Sequence, residues 1–375
     1  MAKVKSVSLG IEVVSPLLMG GYNPLRAEVR PSSIKGLIRW WYRELFKESC
    51  YDYSQVFQRE RDIFGGALNL TEKSQSSKVR VEVQTDDIKS SPIHKWLNEG
   101  RGNSYLLRHF TKMKNGKSRG AILPGSRFTL RMTFDHSMSE TDIVDVLKSL
   151  WASIYLGGWG YRSRRGTGSV KVIDWDNGGW DTESISSYFL IDKSSSLDAF
   201  LHNAVEWFDG SKNGNIFEFT LCVKTGVVNT RFNSVEDALN VLGEKWQSVR
   251  RGMPLLERIS LGLPIGRYLR RERSSLMYNW LVKGERGDTL KGRLASPLIL
   301  KVWKIGRGYR IGATLVKKCW IRPYDPSHLT LRNCNVKGKV GHKDGGRVSI
   351  DREVEDLEDE TLEKTFEKFL FGGGA

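Results

Sequence analysis

In the stretch VKSVSLGIEVV (residues 4–14), apolar Val7, Leu9, Ile11 and Val13 alternate with polar neighbours, the period-two pattern of a half-buried strand. The Ser15-Pro16 and Gly20-Gly21 pairs end it. Ser32 or Ser33 is placed to cap a helix in which Ile34, Leu37, Ile38, Trp41 and Leu45 recur at three- and four-residue spacing. Residues 71–78 are polar and read as a loop. VRVEV at 79–83 and RFTLRMTF at 127–134 alternate as strands. Ser139 and Asp142 form a capping box before the stripe Ile143, Val144, Val146, Leu147, Leu150, Trp151 and Ile154, and Gly157-Gly158 stops that helix. With SVKVIDW at 169–175 as a strand, the order is strand, helix, strands, helix, strand. That order suits an α+β sandwich of the ferredoxin type.

Residues 177–215 are rich in Ser, Asp, Asn and Gly and mark a boundary. The order then starts again. FEFTLCV at 217–223 is a strand, Ser234 caps a helix through Ala238, Leu239, Leu242 and Trp246, and PLILKVWKI with YRIGATLVK forms a hairpin. An acidic helix from Asp351 to Leu370 closes the chain, with Leu357, Leu362, Phe366 and Leu370 apolar. At 375 residues the chain exceeds the size at which a single core stops growing. The expected division is a first domain at 1–176, a linker or insert at 177–215 and a second domain at 216–375.

Charge adds what the pattern lacks. Lys and Arg number 59 against 43 Asp and Glu, a formal net charge of +16 that suits a polyphosphate or an anionic membrane surface. No apolar run approaches the length of a membrane span, the N-terminus lacks the apolar region of a signal peptide, and no amphipathic basic helix with an exposed aromatic face and no lipidation signal is evident. A soluble, cytoplasmic protein without a membrane partner is expected. Cys50, Cys222, Cys319 and Cys334 are far apart and match no zinc spacing, so they are expected to be reduced.

Three basic features are candidates for RNA contact. The first is the helix above with its approach: Asn23, Arg26 and Arg30, then Lys35, Arg39 and Arg43 on one face, with Trp40 and Tyr42 among them. Such a stripe can be a solvated face. Gly36, where Ala would favour the helix by about 1 kcal/mol, suggests close backbone approach. The second is the loop Gly157-Gly-Trp-Gly-Tyr-Arg-Ser-Arg-Arg-Gly-Thr-Gly168. It follows a helix, precedes a strand and lacks the Gly-Lys-Ser/Thr ending, so it is not a nucleotide-hydrolysing loop. Its glycines would admit phosphates to backbone N–H groups, with Arg162, Arg164 and Arg165 adding charge. The third is the arginine run at 250–273, read as a second contacting loop through Arg267, Arg270 and Arg271. His94, His109 and His136 are the candidates if the chain is instead a metal-independent RNA endonuclease processing guide precursors. None sits in a glycine loop or next to a candidate acid. Asp86-Asp87 and Asp174/Asp176, the conceivable magnesium ligands, are equally explained by a turn and a strand end.

The motifs Ser15-Pro-Leu-Leu-Met-Gly-Gly21, Arg30-Pro-Ser-Ser-Ile-Lys-Gly-Leu-Ile-Arg-Trp-Trp-Tyr-Arg43, Ile63-Phe-Gly-Gly66, the glycine loop and Arg293-Leu-Ala-Ser-Pro-Leu298 span most of the chain. Together they resemble the RAMP (repeat-associated mysterious protein) superfamily, and within it the two-domain, first-numbered RAMP subunit of the type III-B CRISPR effector, the Cmr complex. The resemblance implies two ferredoxin-like domains packed together and binding near the 3′ region of a guide RNA, with single-stranded target RNA pairing nearby. It also implies assembly with other Cmr subunits and no nuclease role for this subunit. No catalytic residue, cofactor or metal is expected.

Overall fold

The computed structural model describes residues 5–49, 53–66, 74–97, 102–111, 118–178, 183–251, 253, 261, 265–268, 275–283, 289–290, 296–317, 329–334 and 354–372. The first half runs β1 (Lys5–Val13), α1 (Pro31–Phe46), α2 (Ser54–Phe64), β2 (Val79–Asp87), β3 (Ser90–Pro92), α3 (Gly102–Thr111), β4 (Gly120–Ile122), β5 (Arg127–Phe134), α4 (Glu140–Tyr155) and β6 (Val170–Asp176). Its main sheet has the order β2-β5-β1-β6 and is antiparallel throughout, with Leu9 opposite Leu130. α1 joins β1 to β2 across β5, and α4 joins β5 to β6 across β1. The apolar stripes of the two helices, Ile34, Ile38 and Trp41 on α1 and Ile143, Leu147 and Leu150 on α4, share one buried core with Val7, Leu9, Ile11, Leu130 and Met132.

Local chemistry sets the helix starts. At α4 the Ser139 hydroxyl accepts the Asp142 N–H at 3.1 Å, the first bond of the expected capping box, while the Asp142 carboxylate accepts from the Ser139 hydroxyl at 2.7 Å in place of the Ser139 N–H. α1 begins differently from expectation. Arg30 is its cap residue without a side-chain bond, and Pro31, whose fixed φ and missing N–H suit a first turn, replaces the serines as the start signal. α2 has no counterpart in the sequence pattern, because its buried positions are Val56, Glu60, Ile63 and Phe64, with a carboxylate on the core face.

Residues 177–215 fold into α5 (Glu183–Phe189), α6 (Leu197–Trp207) and the short β7 (Ser211–Asn213). Their aromatic side chains pack onto α4. The Trp151 indole donates to the Tyr188 carbonyl at 2.7 Å, and Tyr155 lies edge-on to Phe200 at 4.7 Å. β8 (Ile216–Thr220), β9 (Val223–Phe232), α7 (Val235–Arg251), β10 (Ile265–Tyr268), β11 (Ser275–Lys283), β12 (Thr289–Leu290), β13 (Leu298–Ile305), β14 (Gly308–Val316), β15 (Leu329–Cys334) and α8 (Val354–Phe371) follow. The second sheet has the order β13-β14-β9-β8-β7, while β10, β11, β12 and β15 pair separately. α7 follows β9 and packs on β14 and β13, and β10, β11 and β12 intervene before the chain returns to this sheet as β13. The position on the other side of β9 is filled by β8, which comes before it in the chain. Cys222, expected to be reduced, is disulfide-bonded. Its carbonyl accepts the Lys317 N–H at 2.7 Å, so the sheet brings the end of β14 to it, a proximity that linear spacing does not display.

β13 is covered on both faces. Leu298, Leu300 and Val302 join Leu239, Leu242 and Phe366 of α7 and α8, while Ile299 and Trp303 join the first core. The second of these contacts ties the two sheets together at the end of α4, where a helix leaves carbonyls without intrahelical donors. Lys301 is buried and donates to the carbonyls of Ile154 and Gly157, and the Trp303 indole donates to Tyr155 O at 2.8 Å. Lys304 adds an ion pair to the buried Glu12 at 2.7 Å.

Burial pushes Lys301 down from 10.5 to about 7. Between these values the unfolded chain holds a proton the folded chain lacks, so this residue makes stability rise with pH from 7 towards 10. Lys301→Met removes the donor from two buried carbonyls, at a cost of about 1–3 kcal/mol for each one left unpaired. Thermal unfolding should show a lower Tm for the variant, with a gap to wild type that widens from pH 7 to pH 9. A gap independent of pH contradicts the assignment.

Candidate nucleic-acid interface

The chain leaving β1 is held by the glycine loop. The buried Ser15 hydroxyl donates to Gly166 O at 2.8 Å and accepts the Ser169 N–H at 2.9 Å. Gly168 N–H donates to Pro16 O at 2.9 Å and Tyr161 N–H to Leu18 O at 2.7 Å. This pairing needs glycine at two points. Gly160 has φ +81° with Leu18 O only 2.5 Å from where a Cβ would stand, and at Gly168, φ +68°, the corresponding distance to Trp159 O is 1.8 Å. Trp159 is buried, whereas Tyr161 at the tip is 56% exposed and Arg162 adopts φ 62°.

Across from this tip lies the exposed segment that leads into α1. Tyr22 is fully exposed, and Asn23, Leu25, Arg26 and Arg30 are exposed beside it. The Asn23 side chain accepts the Leu25 N–H at 3.0 Å, and Arg30 pairs with Glu28 at 3.5 Å. Arg26 has no acidic partner among the described residues. Arg119 reaches the same place, its guanidinium 4.8 Å from the centre of the Tyr161 ring. Asn23, Arg26 and Arg30 share one exposed segment with Tyr22, and Arg119 meets Tyr161 of the loop tip, whereas Arg162 is half-buried and close enough to Arg165 to lower its pKa. The two tyrosines stand inside or next to the motifs already singled out; Arg119 carries no sequence signal of its own.

The other expected contacts have intramolecular partners. Lys35 donates to the Val79 carbonyl at 2.8 Å, and burial, then Arg39, lowers its pKa. Arg39 and Arg43 converge on one oxygen of the buried Glu60 from α2, Arg43 at 3.0 Å. The stripe is thus a seam between two helices with part of each cation in solvent. No atom lies within 4 Å of where a Gly36 Cβ would stand, so that position faces open space. Trp40 packs edge-on to Trp41 at 4.9 Å, with the Arg164 guanidinium 4.9 Å from its ring. Arg164 donates to Ser296 O, its own carbonyl accepts the Leu300 N–H at 3.3 Å, and Arg165 lies 4.8 Å over the Trp246 ring. Burial pushes Arg164 down to about 10 and Arg165 to about 9, the latter also through Arg250, Arg162 and Arg164. These two arginines dock the glycine loop on β13 and α7. Arg267 stands on β10 rather than in a loop; its side chain, Arg270 and Arg271 lie outside the described residues.

Residues 10–171 match the sequence model of the RAMP superfamily. The CRISPR system Cmr subunit Cmr1-1 of Pyrococcus furiosus is 30% identical over 300 residues, covering 74% of this chain and 77% of that protein. The chain belongs to the RAMP superfamily, in the Cmr1 family. Among solved structures it is similar to apo Cmr1 from P. furiosus, with a TM-score of 0.51 and 20% identity over 96% of this chain and 97% of that one. It is also similar to a chain in the cryo-EM structure of the type III-B Cmr-beta bound to cognate target RNA, with a TM-score of 0.52 and 18% identity over 97% and 100%. These two likenesses concern the fold.

In this Cmr1-family chain no candidate histidine lies in the two exposed loops, although the turn that holds His94 is bonded to the Ser118–Arg119 segment, His94 N–H donating to Ser118 Oγ at 3.2 Å. Contrary to the expectation that none stands next to an acid, His136 is exposed beside Asp135 at 3.4 Å; His94 is exposed in the turn after β3, and the His109 side chain lies outside the described residues. Among the described residues no group of three or more His, Cys, Asp or Glu could hold a metal ion. The contrast between the seam and the open face is measurable in stability. Glu60→Leu leaves two guanidiniums without their shared acceptor and should lower urea-unfolding stability by about 1.5–3 kcal/mol, the range for hydrogen bonds to charged groups. Arg26→Ala, at an exposed position, should stay within about 0.5 kcal/mol. Equal effects would contradict the division.

Proposed function

We propose that the chain is a non-catalytic RNA-binding subunit of a type III-B CRISPR ribonucleoprotein, contacting the 3′ region of a guide RNA, single-stranded target RNA, or both. In this reading two ferredoxin-like domains, the first built on β1, β2, β5 and β6 and the second on β9, β13 and β14, present one basic groove. The observation that carries it is the exposed group of Tyr22, Asn23, Arg26, Arg30 and Tyr161, with the half-buried Arg162 following Tyr161, where cations and open aromatic rings share a surface. Arginine offers planar bidentate contacts to phosphate, and aromatic faces stack bases without sequence preference. Family membership and the net charge of +16 point the same way.

Lys35, Arg39, Trp40 and Arg43 form one wall of the groove, with charge partly neutralised by Glu60. Arg164 and Arg165 shape the loop from behind, and Arg267, Arg270 and Arg271 are proposed as further RNA contacts on the strength of the sequence. Other Cmr subunits are the protein partners, and the assembly is cytoplasmic. No described helix is long and apolar enough to cross a membrane.

The test is fluorescence titration of single-stranded RNA at several salt concentrations. Arg26→Ala combined with Arg30→Ala should weaken binding and flatten the dependence of log affinity on log salt by about 0.7 per lost phosphate contact. Arg39→Ala combined with Arg43→Ala should flatten it less. Unchanged affinity and slope for the first pair contradicts the reading. Metal-independent cutting of labelled RNA by the purified chain would replace it with the endonuclease alternative.

A further inference from the structure

Between the two exposed loops lies a pocket of about 40 Å³ that the arrangement of cations does not explain. Its floor is formed by the buried Leu18 and Met19; Gly20, Gly21 and Pro24 stand on one side, and Arg119, Gly120 and Tyr161 on the other. The two sides are held at fixed separation, because Gly120 N–H donates to Pro24 O at 3.1 Å and a Cβ at Gly120 would stand 2.4 Å from Leu25 O. The flat guanidinium of Arg119 lies against the flat ring of Tyr161 at 4.8 Å, which makes a planar platform at the mouth. Backbone hydrogen-bonding groups are open here as well. Among the described residues the N–H groups of Gly20 and Gly21 donate to no protein acceptor. Beside Gly21 lies the Glu28 carboxylate, 2.1 Å from where a Cβ would stand.

We propose that this pocket seats the edge of one unpaired nucleobase of the bound RNA, with the base stacked on the Arg119–Tyr161 platform. The inference rests on the RNA-binding reading above. A phosphate fits poorly, because the floor is apolar, the Arg119 charge is already engaged by a ring, and Glu28 repels an anion. A base fits on each count. Its face stacks on the platform, its ring N–H groups can meet the Glu28 carboxylate, and its ring nitrogens or carbonyls can accept from Gly20 and Gly21. The volume is smaller than a whole base, so only an edge enters, and the ribose and phosphate stay outside with Arg26 and Arg30.

The full chain is titrated with a short labelled single-stranded RNA and with versions carrying one abasic residue at each position in turn. Tyr161→Ala and Arg119→Lys, which keeps the charge but not the planar cation, should each weaken binding of intact RNA by about fivefold or more, the low end for base stacking. With the abasic residue at the seated position, both variants should bind as well as wild type. Tyr161→Phe should match wild type throughout, which separates stacking from misfolding. A penalty that persists at every abasic position, or no penalty on intact RNA, overturns the pocket assignment. The Arg26→Ala and Arg30→Ala pair should weaken binding whether or not a base is missing, so loss of the pocket effect alone leaves RNA binding standing. Failure of the wild-type chain to bind any of these RNAs overturns both.

Discussion

The carbonyl end of a buried helix must find donors, and α4 finds them on a strand almost 150 residues further along the chain. Lys301 and the Trp303 indole satisfy Ile154, Gly157 and Tyr155, joining the second sheet to the first at the point where the glycine loop begins. The loop is then held from both sides, by the Ser15–Leu18 segment on one and by Ser296 and Leu300 on the other. With both flanks fixed, the tip has little freedom. Tyr161 and Arg162 are presented where the chain leading into α1 is also exposed, so the candidate interface is a product of the contact between the sheets.

Seen this way, the positive charge of the chain does three different things. Lys301 acts as a donor in a dry environment, where its proton is held weakly. Arg39, Arg43, Arg164 and Arg165 are half-buried and spend their charge on a carboxylate or on ring faces, fixing α1 to α2 and the glycine loop to β13 and α7. Asn23, Arg26 and Arg30 belong to an exposed segment and define a surface with open aromatic neighbours, with Arg162 half-buried at the loop tip. A net charge of +16 attracts polyanions wherever it sits, but the third group alone combines cations with accessible stacking surfaces.

Much of the fold was legible because periodicity records burial. β1, β5, α4 and the β13–β14 hairpin follow from alternation, a capping box and three- and four-residue spacing. α2 was not legible, since Glu60 occupies a core-facing position and is tolerated there only through Arg39 and Arg43, residues from another helix. The same long-range pairing explains why a basic stripe on α1 looked free. Arginines in a glycine loop read alike in sequence whether they stand half-buried at the tip, as Arg162 does, or lie over Trp40 and Trp246. The disulfide at Cys222 left no trace in the spacing of the cysteines.

The central claim is that RNA meets this chain at the exposed loops flanking β1 and β6. Photocrosslinking of a bound single-stranded RNA to the full chain, followed by mass spectrometric identification of the modified peptides, tests it most directly. Crosslinks concentrated in residues 19–30 and at Tyr161–Arg162 are the predicted result. Crosslinks confined to α2 and the outer face of α1, with those two loops unmodified, would contradict it.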